Sequence, residues 1–211
     1  ALSHVVEYHS MPFTFLGNDE PQRLQTGVVS ADFFDAMGVR AQVGRTFRAG
    51  EDQPGSDPVL VLSWEYWQRA FGGDPGVAGA TLRMNDRTHT VIGVLPRIPQ
   101  YPDHNDVYMP ASSCPFRADA SWGESRTARQ AAFGLLRPGV STAAAEQELR
   151  RIATALHAEH PDAYPQDRRF DIRAVPLAEL MAAQSRLTVL LLFGATAFLL
   201  LIVCANVINL A

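Results

Sequence analysis

The sequence predicts an α+β fold, in two subdomains, followed by an apolar C-terminal helix. Three observations carry this. Short apolar runs of strand type alternate with segments of helical periodicity. A two-residue turn signal at Asn85-Asp86 sits between two extended runs, marking a hairpin among those units. The run Leu187 to Ala211, LTVLLLFGATAFLLLIVCANVINLA, carries no charged side chain, and nothing before Arg186 resembles it.

Taken in order, LQTGVVS (24–30) reads as a short strand. Ser30 is then placed to cap ADFFDAMG, a short helix with Phe33, Phe34 and Met37 apolar and Gly38 as its stop. GVRAQVGRTF is a connecting loop with a turn at Gly44-Arg45, and Glu51 to Pro58 an exposed acidic loop. The continuous apolar run PVLVLS (58–63) reads as a buried strand, and Ser63 caps a helix WEYWQRAFG that Gly72-Gly73 ends. DPGVAG is a turn. ATLRM and RTHTVIGVL are the arms of the hairpin, since Asn and Asp tolerate the positive φ of its turn. Ile98 to Asn105 is a loop, DVYMP a short extended piece, and Cys114 to Arg129 polar and irregular. AAFGLLRPG is a strand and turn, after which Ser141 caps a helix from Thr142 to about His160. Its apolar face is Ala145, Leu149, Ile152, Ala153 and Leu156, with Glu146 and Arg150 paired one turn apart. RFDIRAVP (169–176) alternates like a half-buried strand, and LAELMAAQSR is a short helix leading into the apolar run.

As a helix, Leu187 to Ala211 would be roughly 37 Å long, enough for a hydrocarbon core of about 30 Å. Twelve of the seventeen residues from Leu187 to Val203 are Leu, Ile, Val or Phe. Transfer of these side chains into a bilayer is favourable by roughly 4 to 7 kcal/mol. The net charge of −4 points away from a nucleic-acid partner. All basic side chains are Arg, scattered rather than clustered. The two cysteines, Cys114 and Cys204, fall on opposite sides of the expected membrane boundary, so no disulfide is expected between them. The chain opens at Ala1 and stops inside the apolar run, which reads as a piece of a longer polypeptide.

Four stretches occur in a characteristic order: VVSADFFDAMGVRAQVGRTF, VLVLSWEYWQRAFGGDPGVAGATLRMNDRTHTVIGVLP, LLRPGVSTAAAEQELRRIA and LLLFGATAFLLLIVCANVINLA. Together, from about residue 24 to 211, they resemble the extracytoplasmic domain of MacB-type ABC transporter permeases, in the FtsX-like permease superfamily. The resemblance implies an ectodomain of two mixed α/β subdomains over residues 1–183. One subdomain, about 46–129, would be inserted in the other, and a truncated transmembrane helix would follow at 187–211. It further implies residence in the bacterial inner membrane with the bulk of the chain on the periplasmic side. The implied partners are a cytoplasmic ABC ATPase that binds the ATP, a second permease copy or paired permease, membrane lipid and, in some members, a periplasmic adaptor.

The candidate sites are few. Gly72-Gly73-Asp74-Pro75 lacks the GK[ST] of a phosphate loop, so no cofactor site is expected in this chain. His89, His104 and Asp106 match no metal-ligand spacing, and His89 on its hairpin reads as structural. His157 and His160 suit a helix C-terminus. Ser63 follows a strand but lacks the G-x-S-x-G of a nucleophile elbow, so no catalytic residue and no enzyme activity are expected. Trp64 and Trp67 read as core, with Tyr66 pointing elsewhere as a surface contact. Asn206 and Asn209 share one face of the apolar helix as polar packing residues, and Gly194 and Ala197 offer room for close helix approach. The function that the resemblance implies is coupling of cytoplasmic ATP hydrolysis to export or other extracytoplasmic work, relayed by the rigid stretch entering the apolar helix. The alternative is a membrane-anchored binding or adhesion module with no ATPase partner.

Overall fold

The computed structural model describes residues 1–17, 20–85, 87–100, 103–114, 131–161, 164 and 172–210. Two compact units divide at Leu135 and Leu136: residues 2–135, and 136–211 together with Ala1.

The first unit is built on a mixed sheet. Its longest strand, β1 (Leu2–Phe15), shows no clear alternation in sequence, because Pro12 and the polar residues of its first half blur it. Then come β2 (Gln22–Val29), the one-turn helix α1 (Phe33–Ala36), β3 (Val43–Gly44), β4 (Val59–Leu62) and α2 (Trp64–Phe71). The hairpin of β5 (Thr81–Met84) and β6 (Arg87–Val94) follows, then β7 (Val107–Pro110), a 3-10 turn Ala111–Ser113 and β8 (Ala131–Leu136). The strand order is β2-β7-β4-β6-β5-β1-β8, with β3 on β6.

β1 also pairs with β2, from Tyr8↔Val29 to Phe15↔Gln22, so the path β2-β7-β4-β6-β5-β1 returns to its start. Phe15 stands at the join, opposite Gln22 on one side and Met84 on the other. A circuit of this kind leaves few open edges. The strands expected to form an inserted subdomain at 46–129 are therefore the middle of a sheet shared with β1 and β2. They do not form a separate sheet.

β4 explains why its sequence is apolar throughout. Leu60 and Leu62 enter one core cluster with Phe13, Trp67 and Met109, while Val59 and Val61 enter another with Phe33, Phe34 and Tyr108. A strand covered on both faces needs no polar positions. Full burial of each such side chain stabilises the unit by about 1.5–3 kcal/mol.

Local signals are largely realised. The Ser63 side chain accepts from the backbone N–H of Tyr66, and Gly72 closes α2 with φ 59°. Asn85 opens the hairpin turn with φ 44°. Ser30 is an exception. α1 starts at Asp32 without a side-chain cap, and the Ser30 hydroxyl instead accepts from the Glu7 N–H of β1 at 3.2 Å. The Ala31 N–H is taken by Asp52 at 3.0 Å. Gly44, expected in a loop turn, pairs with Gly93 as part of β3. A Cβ on Gly44 would lie 2.2 Å from the Ile92 carbonyl oxygen, so the two chains meet here only without side chains.

In the second unit, α3 (Thr142–Glu159) is capped by Ser141, whose hydroxyl accepts from the Ala144 N–H. Ala145 and Ala153 are buried, Leu149 and Leu156 half-buried, and Ile152 exposed, so the apolar stripe is narrower than its periodicity suggests. The Glu146–Arg150 pair forms at 2.6 Å. The His157 Nδ1 stands 2.6 Å from the Tyr164 carbonyl, close to the end of the helix. Ile172–Pro176 is not in a strand, contrary to expectation; the preceding residues 169–171 lie outside those described, as do 115–129. α4 (Leu177–Leu210) is one continuous helix that includes both LAELMAAQSR and most of the apolar run.

Candidate functional site

Two features stand out. The first is a polar network beneath the connection from β6 to β7. Tyr8 on β1 donates its hydroxyl to Asp103 at 3.1 Å and accepts from the Asn105 side-chain amide at 3.0 Å. Ser10 donates to the other end of that amide at 2.7 Å and accepts from Gln25 at 2.6 Å. Gln100 accepts both from the Asn105 backbone N–H and from the Tyr108 hydroxyl, each at 2.8 Å. Gly27 leaves room for this layer, since a Cβ there would lie 2.6 Å from the Tyr108 ring.

Burial pushes the Tyr8 phenol well above its ordinary value, against the opposing hydrogen bonds from Asn105 and Ser10. Burial likewise pushes Tyr108 up to about 12, against Asn105. Both phenols stay protonated at neutral pH and serve as fixed donors. The network therefore ties the described part of the β6–β7 connection to β1, β2 and β7. The loop it holds presents exposed Arg97, Asp103 and His104, with the Arg97 guanidinium 5.0 Å from the centre of the Trp64 ring. No local motif announces this network, because its members lie on segments up to about a hundred residues apart.

The second feature is the apolar part of α4. Leu190 to Phe193 and Phe198 to Leu201 are each 59–70% exposed. Gly194 lies in this stretch with no atom within 4 Å of a Cβ built on it. Thr196 turns its hydroxyl back onto the Leu192 and Phe193 carbonyls, so it presents no unsatisfied donor. Asn206 and Asn209 fall within the same helix, but their side chains, like that of Cys204, lie outside those described. Among the described residues no helix is long and apolar enough to cross a membrane.

The remaining candidates sort as follows. Tyr66 is not a surface contact. It is 2% exposed, with Phe71 edge-on at 6.0 Å and the Arg69 guanidinium 5.3 Å from its ring centre. It lines a depression with Phe15, Gln22 and Leu82. Trp64 is the half-buried member of the trio and Trp67 the buried one, its indole N–H donating to the Asp74 carbonyl at 2.8 Å. Asp106 pairs with Arg69 at 2.6 Å and accepts from the Gln25 N–H at 3.0 Å. His104 is exposed and His89 buried, and no group of metal-ligating side chains forms among the described residues.

Comparison with known proteins gives a consistent picture. The family model of the MacB-like periplasmic core domain matches residues 2–152. The macrolide export ATP-binding/permease proteins MacB of Salmonella typhi and Salmonella typhimurium are 31% identical over 133 residues, which is 61% of this chain. The chain spans only 19% of the length of these relatives. Among solved structures, the periplasmic region of MacB from Actinobacillus actinomycetemcomitans superposes with a TM-score of 0.57 at 19% identity, covering 74% of this chain and 68% of that one. The extracellular domain of the ABC-type transporter YknZ from Gram-positive bacteria gives a TM-score of 0.55 at 18% identity, covering 75% of this chain and 76% of that one. At these identities the structural likeness speaks for the fold.

Proposed function

The chain belongs to the family of MacB-like periplasmic core domains, and on that premise we propose that it is the extracytoplasmic part of an ABC transporter permease whose apolar C-terminal run enters the inner membrane. In this reading an ATPase in the cytoplasm binds and hydrolyses ATP, and the domain moves in response to export a substrate or do other work outside. The observation that carries it is the family match over residues 2–152, followed in the same chain by the uncharged run from Leu187.

Two further observations support it. The described apolar side chains of α4 from Leu190 to Leu201 are exposed in bulk, as expected of a surface meant for lipid or for neighbouring helices. Asn206 and Asn209 would then pack as amides against neighbouring membrane helices, with Gly194 allowing close approach. The relay is α4 itself, which has no Gly or Pro between Leu177 and Phe193 and so no built-in hinge. Such coupling requires a two-state element whose equilibrium the ATPase biases.

The test is a flexible Gly-Ser linker inserted after Ala183 in the whole transporter. ATPase activity should persist while transport is lost. Transport unchanged by the linker would remove the relay, and purification of the whole protein without any associated ATPase would remove the transporter reading.

A further inference from the structure

His89 sits in the middle of β6 at 1% exposure. Its Nδ1 stands 3.0 Å from the Arg87 carbonyl oxygen, which can only accept. The proton of the neutral ring is therefore on Nδ1, and Nε2 is bare. Nε2 makes no hydrogen bond of normal geometry, and neither does the fully buried hydroxyl of Ser113, though the Ser113 backbone bears on the ring.

Among the described residues, the elements packed on the ring are uncharged apart from Arg87. Its cross-strand neighbour on β5 is Leu82, the adjoining β4 contributes only apolar side chains, and the turn Ala111–Ser113 holds one alanine and two serines. Arg87, on the same strand, is the charged group that bears on it. The Arg87 guanidinium is itself turned to backbone carbonyls, at 3.4 Å from Ser112 and 3.5 Å from Ser56, and among the described residues no carboxylate pairs with it. The turn is anchored a second time by the Ser112 hydroxyl, which donates to the Glu51 carbonyl at 2.6 Å.

A proton added at Nε2 would put a cation in an apolar interior beside a second cation. We propose that His89 is an acid-sensitive latch between β6 and the turn Ala111–Ser113. Neutral, it packs within the core beside Ser113; protonated, it must leave the core, and the end of β7 loosens with it. Burial first, then the Arg87 charge, holds the imidazole below its ordinary value, with the backbone groups of Arg87 and Ser113 acting in the opposite sense. The sign follows from that depression. Below about pH 6.5 the unfolded chain takes up a proton that the folded chain refuses, so stability falls with pH until the folded value is passed.

The test is amide hydrogen exchange on the full chain in detergent micelles at pH 7.5 and 5.0, corrected for the intrinsic rate. Protection in β6 and in Val107–Cys114 should drop about tenfold at the lower pH while α3 keeps its own, and His89→Gln should abolish the difference. An equal loss in both proteins, or none in the wild type, overturns the latch. Should the variant fail to fold, imidazole 15N spectra of the wild type decide. His89 must show the Nδ1–H tautomer and titrate below the ordinary imidazole value of 6.5; titration at or above that value overturns the proposal.

Discussion

Glu51 shows how much one side chain can organise. Its carboxylate takes two parallel bonds from the Arg45 guanidinium, at 2.9 and 2.7 Å, and a third from the Arg48 N–H at 2.8 Å. Burial pushes its pKa up, but the Arg45 and Arg48 hydrogen bonds outweigh that, and the net value lies below the ordinary 4.5. A depressed carboxylate stabilises the fold above the unfolded value, and that contribution fades as pH falls through the folded one. Urea unfolding below about pH 4.5 should therefore steepen with acid in the wild type and flatten in Glu51→Gln, which should also be the less stable protein at pH 7. Equal pH profiles would show the pair to be without consequence.

The hairpin is the element whose turn reaches furthest. Asn85 combines φ 44° with a tie to β1: its N–H donates to the Thr14 carbonyl at 3.0 Å, and its side-chain oxygen accepts from the Thr14 N–H at 2.9 Å. An alanine there loses the side-chain bond and meets a left-handed backbone that costs about 1–2 kcal/mol. Asn85→Ala should lower the stability of the first unit by about 2 kcal/mol in denaturant unfolding, whereas Asn85→Gly should recover part of it by removing the backbone strain. A glycine variant no better than the alanine would place the whole effect in the Thr14 bond.

At the scale of the molecule, the exposed apolar run of α4 sets the expected behaviour. A chain ending at Ala183 should stay in solution without detergent and keep the unfolding transition of the first unit, while the full chain should partition into membranes and resist alkaline carbonate extraction. A full chain that remains in the aqueous phase would remove the membrane reading and leave the family membership standing.

Several misread positions share one cause, the unread strand β1. Ser30 is a good capping residue by type, yet its hydroxyl is engaged by Glu7 of β1. Tyr66 lies off the Trp67 face of α2, yet it is buried in the same core cluster, against which Phe15 of β1 packs. The strands within residues 46–129 share one sheet with β1 and β2, and β1 closes the circuit from β5 back to β2. By contrast the Ser63 and Ser141 caps, the Gly72 stop, the Asn85 turn and the doubly buried β4 were all legible, since each is decided within a few residues of itself.

Read alone, the chain of residues was enough to place the Ser63 and Ser141 caps, the Gly72 stop, the Asn85 turn, the uncharged terminal run and the family, because each depends on near neighbours in sequence or on motif order. Which strands pair, which ring is covered and how Tyr8, Asn105 and Tyr108 meet were settled by folding. Those contacts join segments tens of residues apart, and no local periodicity encodes the partner across such a distance.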